Sequence, residues 1–166
     1  MKKESGFTLA QVLIVVSIIT ILSAVAIPSL VSWLPSYRLS SAARDVLSAI
    51  ELARLTAVRE NTSVAIWFTP ANATYRLWVD NGEGSGGVAN DFTPNGSERT
   101  VRVGQVPPSV AMSSAVFGAS SRLRFDGMGL PFRTDGSPGG GSIVLTNSKG
   151  RTLTIALNSG GNARIQ

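Results

Sequence analysis

The chain has no cysteine and no histidine. The first absence excludes disulfides and thiolate-bound metals. The second removes the commonest general base and the commonest metal ligand. Charged residues are few, at 15% of the chain, and none falls between Glu4 and Arg38. The charge that is there leans basic: twelve arginines carry most of a formal +5. Such an excess fits contact with an anionic polymer, and it equally fits plain solubility. The glycine runs match neither a phosphate-binding loop nor a dinucleotide fingerprint. Asp126 and Asp135 flank a Gly/Pro turn, without the ligand spacing and closing glutamate of an EF-hand. Turn chemistry accounts for both. The reading is a protein with no catalytic residues, no metal site and no cofactor.

What the chain has in abundance lies near its start. Phe7 to Ile27 is 21 residues, of which thirteen are Leu, Ile, Val or Phe. As a helix this run is about 31 Å long, close to the hydrocarbon thickness of a bilayer. Its aliphatic residues favour insertion by on the order of 4–8 kcal/mol, so the lone amide of Gln11 does not overturn it. A cleaved secretory signal would have a shorter apolar core, although Ser23-Ala24-Val25-Ala26 mimics a cleavage site. The run reads as a retained anchor, with Lys2 and Lys3 holding the N-terminus in the cytoplasm and the remainder outside. Pro28 lies at the end of this run and predicts a kink or a local loss of helix.

A second periodic stretch follows. Leu39, Ala43, Val46, Ile50, Ala53 and Ala57 recur at spacings of three and four, the stripe of an amphipathic helix. Leu47 and Val58 widen the stripe on one side. Arg54 interrupts it, and Leu52 and Leu55 fall outside it. A coiled-coil seam is one reading; a helix laid against its own domain's sheet is the better one. From Thr62 the period becomes two. Strands are expected over SVAIWF and TYRLWVD, joined by a PANA turn, then over RTVRV, Val110–Phe117, SRLRF, SIVLT and RTLTIAL. Asn147-Ser148-Lys149-Gly150 reads as a tight hairpin turn. Residues 81–98 form a long polar, glycine-rich loop, mobile unless something grips it. The expected class is α+β: a long N-terminal hydrophobic helix whose C-terminal half packs on a mostly antiparallel sheet of six to eight strands.

Arginine is the one recurrent exposed chemistry. Arg122 and Arg124 alternate with Leu123 and Phe125, so both guanidiniums leave one sheet face. Lys149 and Arg151 sit at a hairpin, and Arg164 lies near the C-terminus. These five are the candidates for phosphate contact, as in DNA binding. A solvated sheet face is the competing account, since Asp126 and Asp135 dilute the patch.

The basic leader ending in Gly6, then Phe7-Thr8-Leu9, an unbroken apolar helix and Pro28 resemble the class III signal of type IV pilins and pseudopilins. SRLRFDGMGLP followed by SIVLTNSKGRTLTIALNSGGNARI resembles the C-terminal half of the GspH/FimT family of minor pilins and pseudopilins. The resemblance implies a leader over 1–6, a transmembrane and filament-core helix over 7–34, its amphipathic continuation over 35–60 and a β-rich pilin domain over 61–166. It implies a prepilin peptidase as a partner, cleaving between Gly6 and Phe7 and methylating Phe7. It further implies residence in the bacterial inner membrane, a periplasmic domain, and other pilins as neighbours in a filament of a type IV pilus or type II secretion system. The family's usual glutamate is replaced by Gln11. That departure implies an initiating or tip-proximal subunit, where no subunit ahead offers an amine. Some relatives bind DNA through a Gly-Arg-x-Arg motif. Here Gly161-Asn162-Ala163-Arg164 keeps only Arg164, which leaves nucleic acid as an alternative partner.

Overall fold

The computed structural model describes residues 8–166. It contains one α-helix, α1 (Leu9–Glu60), and nine strands: β1 (Val64–Thr69), β2 (Thr74–Val79), β3 (Thr100–Gln105), β4 (Val110–Val116), β5 (Arg122–Phe125), β6 (Pro131–Phe132), β7 (Gly141–Asn147), β8 (Thr152–Leu157) and β9 (Ala163–Ile165). By its contacts the chain divides after Leu34 into two units.

In the first unit the helix is apolar on every side. Leu13, Ile14, Val16, Ile18, Ile21 and Leu22 are all more than half exposed. Two of its hydroxyls are satisfied within the helix: Ser17 Oγ donates to the Leu13 carbonyl and Thr20 Oγ1 to that of Val16, both at 2.8 Å. Such back-bonding is what an apolar solvent requires of a buried hydroxyl. Helical structure continues through Pro28 and Pro35, so the loss of helix expected at Pro28 does not occur.

In the second unit the stripe behaves as the periodicity requires. Leu39, Ala43, Val46, Ile50, Ala53 and Ala57 are fully buried, joined by Ala42 and Ala49. Leu47 packs partly against this core. Val58 does not, and is 48% exposed. The strands form two antiparallel sheets rather than the one expected. Their orders are β3-β2-β1-β5-β6 and β4-β7-β8-β9. β6 and β9 were not foreseen, because two or three residues carry no readable period. Phe68 and Phe117, stacked 5.6 Å apart, belong to the core the sheets share with the helix.

Arg54, the polar break in the stripe, joins the helix to both sheets. Its Nε donates to the Gly129 carbonyl (3.1 Å) in the β5–β6 turn. NH1 donates to Asn162 Oδ1 (3.0 Å) and NH2 to the Gly160 carbonyl (3.4 Å), both in the β8–β9 turn. The two turns meet here. Gly161, at φ +80°, lies so close that a Cβ would stand 2.5 Å from the Gly129 carbonyl, a position only glycine tolerates. Nearer the start of this stripe, Asp45 accepts hydrogen bonds from Tyr75 Oη (2.6 Å) and from Arg102. Burial, reinforced by the Asp45 carboxylate, pushes the Tyr75 phenol well above its ordinary range. Gly104 lets that ring lie across β3, since a Cβ there would fall 2.2 Å from Tyr75 Cζ. The aspartates flanking the Gly/Pro turn do turn work. Asp126 Oδ1 accepts from Met128 and Leu130 N–H groups, and Asp135 Oδ1 from Ser137.

Replacing Arg54 by Met keeps the aliphatic stem but removes all three bonds. Urea unfolding of the full chain in detergent is expected to show a loss of about 2 kcal/mol. A loss below about 0.5 kcal/mol would mean that the two turns hold together without it.

Candidate functional site

Two regions carry the chemistry singled out in the sequence. The first is the start of α1. Gly6 and Phe7 lie outside the described residues; Thr8 and Gln11 are within them. Thr8 N–H donates to Gln11 Oε1 at 2.9 Å, and Gln11 N–H donates to Thr8 Oγ1 at 3.3 Å. Thr8 precedes the first helical residue and Gln11 is the third within the helix. Together they form a reciprocal capping box, which satisfies two N–H groups that the helix itself leaves open. The Gln11 amide oxygen is thus used inside its own chain, at the end of the helix where the macrodipole is positive.

The second region is the face of the five-stranded sheet away from α1. The register sets two rows of side chains across it. Arg122 of β5 stands opposite Trp67 of β1, Trp67 opposite Arg76 of β2, and Arg76 opposite Val103 of β3. One step along, Phe132, Arg124, Ala65, Trp78 and Thr100 form the neighbouring row. The Arg122 guanidinium lies 4.1 Å from the centre of the Trp67 ring, a cation–π contact. Arg124 stands 5.1 Å from the Phe92 ring and 5.4 Å from that of Phe132.

The loop at 81–98 is gripped by this face. Phe92 is buried with φ +60°, a left-handed conformation that costs a bulky residue about 1–3 kcal/mol and needs support from its surroundings. Asp80, fully buried at the end of β2, gives that support through its carboxylate. It accepts the N–H groups of Asp91 (3.3 Å) and Phe92 (3.2 Å). From β5, Arg122 NH1 donates to the Phe92 carbonyl (3.0 Å) and to Thr93 Oγ1 (3.1 Å). Within the loop, Glu98 accepts from Gly82 and Asn95 N–H groups, and Asn95 Oδ1 accepts from Val88. Burial raises the Asp80 pKa, opposed by the two N–H donors; burial lowers that of Arg124, opposed by the charges of Asp80 and Asp126.

The five basic candidates therefore do not form one surface. Arg122 and Arg124 share a sheet face, as their alternation implied, but they serve loop 81–98. Lys149 and Arg151 stand at the β7–β8 turn of the other sheet, where their backbone N–H groups donate to Asn147 Oδ1. Arg164 lies on β9 opposite Ala156, towards the far end of β8. Its Nε and a terminal nitrogen lie 3.0 Å from the end of the Gln166 side-chain amide. Sequence reasoning missed Trp67, Arg76, Asp80 and Phe92. Trp67 and Arg76 were visible as outward members of their strands, but only the register brings them beside Arg122.

An apolar helix leading into a domain of two antiparallel sheets packed on that helix's second half is the architecture of type IV pilin-like proteins. The fold is shared with the type IV minor pilin FimU of Pseudomonas aeruginosa (TM-score 0.53, 15% identity, 79% of this chain and 90% of that one). It is shared equally with the minor pseudopilin EpsH from the type II secretion system of Vibrio cholerae (TM-score 0.54, 9% identity, 78% and 96%). In sequence, the chain is 30% identical to the pilin-like protein PilA1 of Thermus thermophilus over 165 residues, 97% of each chain. The family model for type II transport protein GspH matches residues 42–161, and the chain belongs to the GspH family. Its members are structural subunits, not enzymes.

Asp80→Asn would leave one of the two loop N–H groups facing an amide donor. Hydrogen exchange at Asp91 and Phe92 is expected to accelerate about tenfold or more, as one such bond is worth roughly 1–3 kcal/mol. Unchanged exchange would show that Arg122 and Arg124 alone hold the loop.

Proposed function

We propose that the protein is a minor pilin or pseudopilin, a structural subunit of a type IV pilus or a type II secretion pseudopilus. The observation that carries this is the first half of α1: apolar on every side, with the hydroxyls of Ser17 and Thr20 satisfied internally. By length and composition this helix is able to cross a membrane. A helix of that kind is stable in lipid and equally stable among copies of itself in a fibre, so passage between the two exposes little apolar surface to water. The residue 35–166 unit has its own core.

On this reading a prepilin peptidase cuts between Gly6 and Phe7 on the cytoplasmic side of the inner membrane and methylates Phe7. Lys2 and Lys3 keep the leader inside, and the domain faces the periplasm before the subunit enters a filament with other pilins. Gln11 caps its own helix and carries no charge to offer a neighbouring amine, which suits an initiating or tip-proximal subunit.

Two measurements test this. Intact mass of the protein recovered from its native membrane is expected to correspond to a chain beginning at a methylated Phe7; a chain retaining Met1–Gly6 would overturn the filament reading. Gln11→Glu preserves the cap, because a carboxylate accepts the Thr8 N–H equally well. It is expected to raise the number of copies per filament. An unchanged copy number would remove the argument for a tip position while leaving that for the filament intact.

A further inference from the structure

β3 is an edge strand, and among the described residues no strand pairs with its outer side. Val106 N–H donates to the Ala73 carbonyl on the β2 side. Antiparallel alternation then turns the backbone groups of Gly104 towards β2 and those of Val103 and Gln105 away from it. Free edges of this sort invite a further strand unless charge, proline or a bulge blocks them. β3 has a bulge opposite Leu77 and Trp78, at its first residues only. Its arginine, Arg102, is turned inward to Asp45. The remaining segment is unblocked, and Val103 is 66% exposed.

The side chains beside this edge define what fits. Val103 begins the row that continues through Arg76, Trp67 and Arg122. A hollow of about 280 Å³ opens between Trp67, Thr69, Thr74, Arg76 and Val103. Arg76 is exposed and anchored to Thr100 Oγ1 at 2.7 Å. No carboxylate belongs to the row. Acids beside this face bond within the protein: Asp91 to Thr93 and Asn95, Asp80 to the Phe92 backbone, and Asp126 to the Met128 and Leu130 N–H groups.

We infer that β3 accepts an extended acidic segment of another polypeptide as an added strand, its carboxylates over Val103 and directed at Arg76. A second copy of this chain is a poor occupant, since it would bring a further +5 to a surface already cationic. Nucleic acid fits less well than a strand. The edge offers alternating donors and acceptors, which a peptide backbone matches and a phosphate chain does not. The second cation of the row, Arg122, is already engaged with Phe92 and Thr93. The occupant's side chains at every second position would lie on this face, and Trp67 and Arg76 are the residue types that concentrate binding energy at interfaces. The inference depends on the sheet alone and stands whether or not the protein enters a filament.

The test uses the full chain in non-ionic detergent and a dye-labelled, capped octapeptide of alternating Glu and Val, read by fluorescence anisotropy. Three further probes accompany it: the Lys/Val octapeptide, the Glu/Val octapeptide N-methylated at alternate residues, and an oligothymidine. The Glu/Val peptide is expected to bind at least about tenfold more tightly than the Lys/Val peptide, and N-methylation to abolish binding. It should also slow hydrogen exchange at Val103 and Gln105. Arg76→Gln is expected to weaken binding about fivefold, in keeping with one exposed ion pair. The inference is overturned if the Glu/Val peptide does not bind, if N-methylation changes nothing, or if oligothymidine binds more tightly than the peptide.

Discussion

The packing of both sheets depends on how close α1 lets them come. Five of the eight buried positions on its second half are alanines: Ala42, Ala43, Ala49, Ala53 and Ala57. Small side chains bring the strands near the helix axis, with Leu39, Val46 and Ile50 filling the space between. Arg54, half-buried at the edge of this surface, spends its donors on protein. It does so on the two turns that the sheets bring together, and in this way one guanidinium ties three elements at a single point. Asp45 has the corresponding role nearer the start of the stripe, with Tyr75 and Arg102.

The opposite face of the five-stranded sheet follows another logic. Arginines on a pleated surface are ordinarily solvated, and Arg76 is. Arg122 and Arg124 instead lie against aromatic rings and hold a loop whose Phe92 adopts a backbone conformation that bulky residues avoid. Asp80 makes this tenable by accepting two N–H groups from a fully buried position. Eighteen polar and glycine-rich residues are thereby ordered without a secondary structure of their own.

In the first unit, Ser17 and Thr20 bond back to the preceding turn, and the first turn of α1 is closed by Thr8 and Gln11. A glutamine here does what a glutamate would do for the cap while withholding the charge.

Much of this architecture could be read directly from the residues. The apolar run, the stripe from Leu39 to Ala57 and the hairpins around PANA and NSKG are local patterns, and each residue's neighbours in sequence decide which face is buried. Register-dependent features were not readable. One sheet was expected and two form, because strand neighbours are chosen by contacts between residues far apart in the chain. The same holds for Arg54, which the periodicity could show only as a flaw, and for loop 81–98, whose order rests on Asp80 and Arg122. Arg122 was recognised as surface chemistry, but its partners Phe92 and Trp67 lie 30 and 55 positions away. By itself the sequence determined the apolar helix, the buried stripe and the strand faces, since these follow from side-chain period and solvent preference. The tertiary structure alone decided which guanidiniums are structural and which edge stays open, since both depend on what the fold places opposite them.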